Sequence, residues 1–219
     1  MKCKYCSGVC KKKGWYTNIQ KYQCKKCLRY QRESYVYQKI SEHQYSQIIV
    51  FHKEGLGIRS ISRILSIAVT SIQRSISILS EKYTAVMYDE KHQEYEVDEL
   101  WTFVNGNTPT NYRYIAYAIN RRTRKVIDFV IGRSKEKLRP LIDKLLSFLP
   151  SKIFTDGLAV YESLIPKKIH CSYEHCINHI ERNNLTLRIR LKRLNRKTIC
   201  YSRSESMLES SLKLYFLAS

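Results

Sequence analysis

Two Cys-x-x-Cys pairs, Cys3/Cys6 and Cys24/Cys27, separated by 17 residues, constrain this chain more than any other feature. Two residues between thiolates let one tight turn present both sulfurs to one ion, and two such turns complete a tetrahedral site. A segment this short cannot bury enough apolar surface to hold itself together, so its folding should run through the metal. Residues 1–33 therefore read as a small zinc ribbon, with Cys3, Cys6, Cys24 and Cys27 as ligands of a structural Zn2+. Cys10 lies outside the pattern and reads as spare. The first residues carry no apolar run of signal-peptide type, and no stretch is long enough to span a membrane. The expected location is the cytoplasm, in association with the nucleoid, where thiols stay reduced.

Charge narrows the partners. The formal net charge is +20, and it is unevenly spread: +11 over residues 1–92, +3 over 93–176 and +6 over 177–219. Basic ends around a nearly balanced middle favour a polyanion, because each neutralised phosphate releases counterions. Hydrophobic residues make up 43% of the chain and 17 residues are Tyr, which excludes a disordered polyelectrolyte. The expected partner is double-stranded DNA.

Residues 38–83 read as an all-α helix-turn-helix segment. The first helix carries Ile48, Ile49 and Phe51 and ends near Gly55. The second carries Ile58, Ile61, Ile64 and Leu65. The third should begin after Thr70, since Thr70-Ser71-Ile72-Gln73 has the form of a capping box. Its apolar stripe is Ile72, Ile76 and Leu79. Ser71, Gln73, Arg74, Ser75 and Ser77 should face outward, and Ser71, Gln73 and Arg74 are the candidates for contact with DNA. A purely structural three-helix bundle would show the same apolar repeat.

Beyond the polar stretch Asp89–Gln93 the period changes. Strands are expected over Tyr95–Val104, Tyr112–Asn120 and Lys125–Gly132, joined by turns into an antiparallel meander. The second is apolar on both faces and should be central. A helix follows through Leu138, Leu141, Ile142, Leu145 and Leu149 and stops at Pro150. Ile153-Phe154-Thr155 is a short fourth strand, parallel to its neighbour after the crossover. Within this frame certain acids are out of place. Asp98 sits in the middle of an apolar strand, which is costly unless it is paired or binds metal. Asp156 stands at the carboxyl end of the fourth strand, where open sheets place ligands. Glu181 opens a helix on which Glu181, Asn184 and Arg188 share a face. Glu96, Glu99 and Asp128 are rival acids that read equally well as solvated charge, and Glu205 reads as a helix first-turn carboxylate or a rival third acid. His170, Cys171, His175, Cys176 and His179 have ligand chemistry but no metal-knuckle spacing, and read as structural or close to DNA.

The segments Val97–Val104, Thr155–Tyr161, Ile180–Arg188 and Arg190–Ser202 resemble the DDE transposase domain of the insertion-sequence-one family, and the Cys pairs and helical segment resemble its N-terminal half. The resemblance implies a multidomain chain: zinc ribbon (1–33), helix-turn-helix (38–83) and an α/β ribonuclease-H-like domain with a mixed sheet (94–219). It implies Asp98, Asp156 and Glu181 as catalytic acids holding Mg2+ or Mn2+. Many relatives in the wider group carry Tyr and Arg before the last acid; here Glu174 and Ile177 occupy those offsets. Arg182, Arg188, Arg190, Lys192, Arg193, Arg196 and Lys197 should then line phosphates along one C-terminal helix. The implied activity is binding of terminal inverted repeats, metal-dependent cleavage and strand transfer into target DNA, by a homo-oligomer that holds two ends. A regulator that only binds DNA, and a nuclease that cuts without joining, are the alternative functions.

Overall fold

The computed structural model describes residues 1–34, 40–106, 108–173 and 175–218. Residues 38–39 of the helical segment, Asn107 of the first turn, Glu174 and Ser219 lie outside the described residues. The chain divides into two compact units, Met1–Ser41 and Glu42–Ser219.

In the first unit, β1 (Cys10–Tyr16), β2 (Ile19–Cys24) and β3 (Tyr30–Arg32) form an antiparallel sheet in the order β1-β2-β3. Its buried centre is made of sulfur: Cys3, Cys10 and Cys24, with Cys6, Cys27 and Tyr22 packed against them. Buried Gln31 ties β3 to the first Cys turn, donating to the Lys2 carbonyl (3.0 Å) and accepting from the Lys4 N–H (2.9 Å). With so little hydrocarbon inside, this unit depends on whatever binds the thiolates.

The second unit begins with α1 (Glu42–Lys53), α2 (Ile58–Leu65) and α3 (Val69–Glu81). Ile48, Ile61, Ile72, Ile76 and Leu79 are buried, as the apolar spacing predicts. Two details differ. The N-cap of α3 is Ala68, with no side-chain cap, so Thr70 lies inside the helix and the capping box does not form. Ser75 is buried, not outward. α1, α2 and α7 (Glu205–Leu217) all pack on α3, and α7 packs on α1 as well. Buried His52 fastens this packing: its Nε2 lies 3.0 Å from the Ser211 carbonyl and 2.9 Å from the Ser211 hydroxyl. Helices and sheet therefore share one unit, although the polar stretch 89–93 separates them in sequence.

The sheet contains β4 (Glu94–Phe103), β5 (Tyr112–Asn120), β6 (Val126–Ile131), β7 (Lys152–Phe154) and β8 (His170–Cys171), in the order β6-β5-β4-β7-β8. β4, β5 and β6 are the antiparallel meander, and β7 and β8 run parallel to β4. This mixed, open sheet is consistent with a ribonuclease-H-like fold. β5 is buried on both faces from Ile115 to Asn120, which is why its sequence does not alternate. One face packs on α4 (Lys135–Ser147) through Leu138, Leu141, Ile142 and Leu145, with Tyr161 of α5 (Ala159–Glu162) in the same cluster. The other packs on α6 (Asn178–Arg190) and α7 through Ile180, Leu187, Leu208 and Leu212.

The helix carrying the C-terminal cations is shorter than the charge run. Leu191 leaves the helical region (φ −101°, ψ 86°) and a 3-10 turn follows over Lys192–Leu194. Leu191 and Leu194 are both buried, so the chain turns inward to place them. Lys192 and Arg193 occupy that turn, and Arg196 and Lys197 lie beyond it, so the seven cations do not share one helix face.

Candidate functional site

The acids meet where the sheet loses a strand. The last register pair between β4 and β7 is Glu96 with Phe154. Two residues further along each strand stand Asp98 and Asp156. β7 has ended by then, so the edge of β4 is open and carboxylates from either face of the strand can reach round it. Gly157, at φ +83°, turns the chain away directly after Asp156, a conformation that favours glycine. The Asp156 carboxylate accepts from the Leu158 N–H at 3.0 Å.

Carboxylate oxygens of Asp98, Glu99 and Asp156 lie within 4.8 Å of one another. Asp98 is held from the α6 side. One oxygen accepts from the Asn184 amide at 2.6 Å and the other from the Glu99 N–H at 2.7 Å. Asn184 in turn accepts from the Tyr117 hydroxyl at 2.8 Å. Glu99 is held from the opposite face by the Tyr161 hydroxyl, which donates to it. Burial pushes the Asp98 carboxyl up to about 6, and the charges of Asp156 and Glu181 push the same way, against the Glu99 N–H and Asn184. Burial likewise pushes Glu99 up to about 7, only partly offset by Tyr161 and by Arg133. Crowded, half-desolvated carboxylates of this kind call for a cation. Three hard oxygen donors suit Mg2+ or Mn2+ and would not select zinc.

Glu181 is exposed in the first turn of α6, outside the 4.8 Å group, but close enough for its charge to act on Asp98. The other acids are engaged elsewhere. Asp128 pairs with Lys144 (2.8 Å), and Glu205 in the first turn of α7 pairs with Arg113 (2.7 Å). Glu96 is fully buried. One oxygen accepts from the Ile180 N–H at the start of α6 (2.8 Å), and the other faces Arg121 at 3.4 Å and His179 at 3.8 Å without a hydrogen bond. From sequence alone Glu96 and Glu99 read equally well as rival acids or as solvated charge. The signal that could have found Glu99 is its place beside Asp98 on a strand whose parallel neighbour is only three residues long.

Among the cations, Arg182, Arg190 and Lys192 are exposed, with Arg190 3.5 Å from Glu54. Arg188 lies along the open edge of β4, donating to the Trp101 carbonyl (3.4 Å) and the Leu194 carbonyl. Arg193 bonds the Ser202 hydroxyl at 2.9 Å, and its own carbonyl accepts from Thr102 at 2.6 Å, so it works within the fold. On α3, Gln73 and Arg74 are exposed and Ser71 is half-buried.

In the first unit, ligand sulfurs of Cys3, Cys6, Cys24 and Cys27 lie within 4.8 Å of one another, with Cys3–Cys27 at 3.6 Å and Cys6–Cys24 at 3.5 Å. Backbone N–H groups point at the sulfurs: Tyr5 at Cys3, and Lys26 and Cys27 at Cys24. Those donors, that of Cys27 first, draw the Cys24 thiol down to about 6. The group suits a structural zinc ion. Cys10 packs beside it without joining it. Within the His/Cys group at 170–179, His170 bonds the Thr155 hydroxyl (2.9 Å) and Cys176 the Thr155 carbonyl (3.3 Å).

The family described as IS1 transposase matches residues 93–217, the stretch that holds the sheet, the acids and the helices around them. This chain belongs to the IS1 transposase family. The InsB protein of insertion element iso-IS1n from Shigella dysenteriae is 39% identical over 115 residues, covering 52% of this chain and 86% of that protein. The IS1 InsB protein of Shigella flexneri is 34% identical over 121 residues, covering 55% of this chain and 91% of that protein. An IS1 InsB protein of Escherichia coli K12 is 34% identical over 113 residues, covering 50% and 65% respectively. In this IS1-family chain the acidic group at the edge of β4 is consistent with a DDE-type active site. Among the described residues no helix is long and apolar enough to cross a membrane.

Proposed function

We propose that this protein is a DNA transposase that binds the terminal inverted repeats of an insertion sequence, cuts at their ends and joins them to target DNA. The observation that carries this reading is the group of crowded carboxylates, Asp98 and Glu99 part-buried and Asp156 exposed, gathered where β7 ends early beside β4. Asp98, Asp156 and Glu181 are the acids we assign to Mg2+ or Mn2+, with Glu99 as a further oxygen donor beside the first two. Bound there, the metal would supply an activated water and neutralise charge on the entering and leaving oxygens of a phosphodiester. Glu181 precedes Asn184 by three residues on α6, so the bond from Asn184 to Asp98 also brings the Glu181 face towards the edge.

The protein's own groups then divide the work. Tyr117 and Asn184 orient Asp98, and Tyr161 orients Glu99. Arg182, Arg188 and Arg190 on α6 and Lys192 just after it offer positive charge for the DNA backbone, while Arg193 serves by holding the turn that follows α6. Residues 1–33, folded around Zn2+, and residues 38–83, presenting Ser71, Gln73 and Arg74, bind the inverted repeats. Residues 94–219 carry the chemistry. Holding two ends at once requires a homo-oligomer, and the double-stranded substrate places the protein with the cytoplasmic nucleoid.

The test is cleavage of labelled DNA carrying the element's own terminal repeat, with Mg2+, by the full chain and by Asp156→Ala and Glu181→Ala. Cutting by the unaltered protein alone is the expected result. Binding without cutting by all three would make the protein a DNA-binding regulator.

A further inference from the structure

Past the acids, β4 and β5 carry an aromatic cluster that belongs to neither sheet-packed core, with Phe103 buried and Trp101, Tyr112 and Tyr114 at least partly exposed. Trp101 and Phe103 follow Glu99 at two-residue spacing on the same face, and their register partners on β5 are Tyr114 and Tyr112. The cluster under α4 takes Val97 and Ala116 from these strands but none of the four aromatics. The rings pack on each other: Trp101–Phe103 centroids are 5.3 Å apart and edge-on, Trp101–Tyr112 5.1 Å apart at 35°. Trp101 remains half-buried and Tyr112 is 39% exposed.

Three arginines sit over these faces. Arg188 and Arg196 lie 5.9 and 5.8 Å from the Trp101 centroid, and Arg133 lies 4.0 Å from that of Tyr114. None of the three is taken up in an ion pair among the described residues. Arg133 also acts on the charge of Glu99, so the aromatic surface and the acidic group are contiguous. Partly exposed rings beside guanidinium groups that form no ion pair, Arg188 being bound only to backbone carbonyls, offer a flat apolar face and phosphate partners together, which is the chemistry of single-stranded nucleic acid sites.

We propose that Trp101, with Arg188 and Arg196, forms a stacking site for an unpaired nucleobase at the DNA end beside the acidic group. A base inside a duplex has no free face, so the occupant must be unstacked, and unstacking is least costly at an end. The arginines that rest over the ring in the free protein are placed to take the phosphates flanking that base. This inference rests on the reading of the protein as a DNA-end enzyme and adds how the end is gripped.

The chain has two Trp residues, so Trp15→Phe leaves Trp101 as the sole indole reporter. Full-length protein with that change is titrated, with Ca2+ in place of Mg2+, with three hairpin duplexes: blunt, with a three-nucleotide 3′ overhang, and with the same overhang made abasic. Stacking predicts that Trp101 emission is quenched by the overhang with bases and not by the abasic one. Trp101→Ala should weaken binding of the overhang with bases by roughly five- to a hundred-fold, the worth of one stacked base, and leave the abasic affinity within about two-fold. Trp101→Phe should recover most of the loss. Equal quenching by the abasic overhang, or equal loss of affinity for both overhangs, would overturn the stacking site. If none of the three DNAs binds, the reading as a DNA-end enzyme fails first.

Discussion

Replacing Asp98 by Asn should stabilise the metal-free protein at neutral pH while abolishing its response to Mg2+. Asp98 is pushed from 3.8 to about 6 by burial and by neighbouring acids. A carboxylate with a raised folded-state value contributes its full stability only below 3.8, and loses it as pH rises through about 6. Two pH units correspond to about 3 kcal/mol lost by pH 7.5. Asn avoids that cost. It cannot accept from the Glu99 N–H and the Asn184 amide as the carboxylate does, which takes back about 1 kcal/mol. The net gain is therefore about 2 kcal/mol at pH 7.5, or roughly 4–8 °C in Tm for a unit of this size, and it should vanish near pH 3.5, where Asp98 is itself neutral. Added Mg2+ at a hundred times its dissociation constant should raise unaltered protein by about 2.7 kcal/mol and leave the variant nearly unmoved. Thermal and urea denaturation at the two pH values, with and without Mg2+, measures all of this. If the variant is less stable than the unaltered protein at pH 7.5 without Mg2+, the acids are satisfied within the fold and the argument that they await a cation is wrong.

Three further outcomes are expected. Chelating zinc, or replacing Cys24 with Ser, should unfold residues 1–34, seen as collapse of their amide dispersion in NMR spectra, because sulfur supplies most of that unit's centre. His52 is pushed down from 6.5 to about 4 by burial, so its contribution is intact above pH 6.5 and should fall by about 3 kcal/mol as pH drops to 4; the stability difference between unaltered protein and His52→Asn, followed by urea titration at pH 7.5 and 4.5, should shrink accordingly. Gly55 adopts φ +84°, and a Cβ there would stand 2.3 Å from the Arg190 carbonyl at the end of α6, so Gly55→Ala should cost about 2–4 kcal/mol from backbone strain and overpacking together, read as a lowered denaturation midpoint.

Much of the architecture was legible because it is local or follows from sheet rules. The two-faced apolar run at Tyr112–Asn120 marks a strand flanked on both sides, and the crossover helix forces Lys152–Phe154 to return parallel to β4. From that pairing alone Asp98 and Asp156 become neighbours. What escaped the sequence depends on distant chain. Ser75 reads as outward, but it is buried in a helical layer to which α7, from the far end of the chain, also contributes. Arg193 looks like another phosphate ligand until Ser202 and the buried Leu191 and Leu194 turn its segment inward. Glu99 points to the opposite face from Asp98 by simple alternation, and only the early end of β7 lets both carboxylates reach the same edge. The α3 cap shows the limit of a short motif: Thr70–Gln73 has the right residues, but the helix starts at Val69 and the motif never forms.

The central claim is that this acidic edge joins DNA. Its most direct test offers a pre-cut terminal-repeat oligonucleotide with a free 3′-OH, together with supercoiled plasmid and Mg2+, and looks for covalent transfer of label to the plasmid. Transfer by the unaltered protein, lost in Asp156→Ala with DNA binding retained, is the predicted result; transfer that survives Asp156→Ala would contradict the assignment of this edge as the catalytic site.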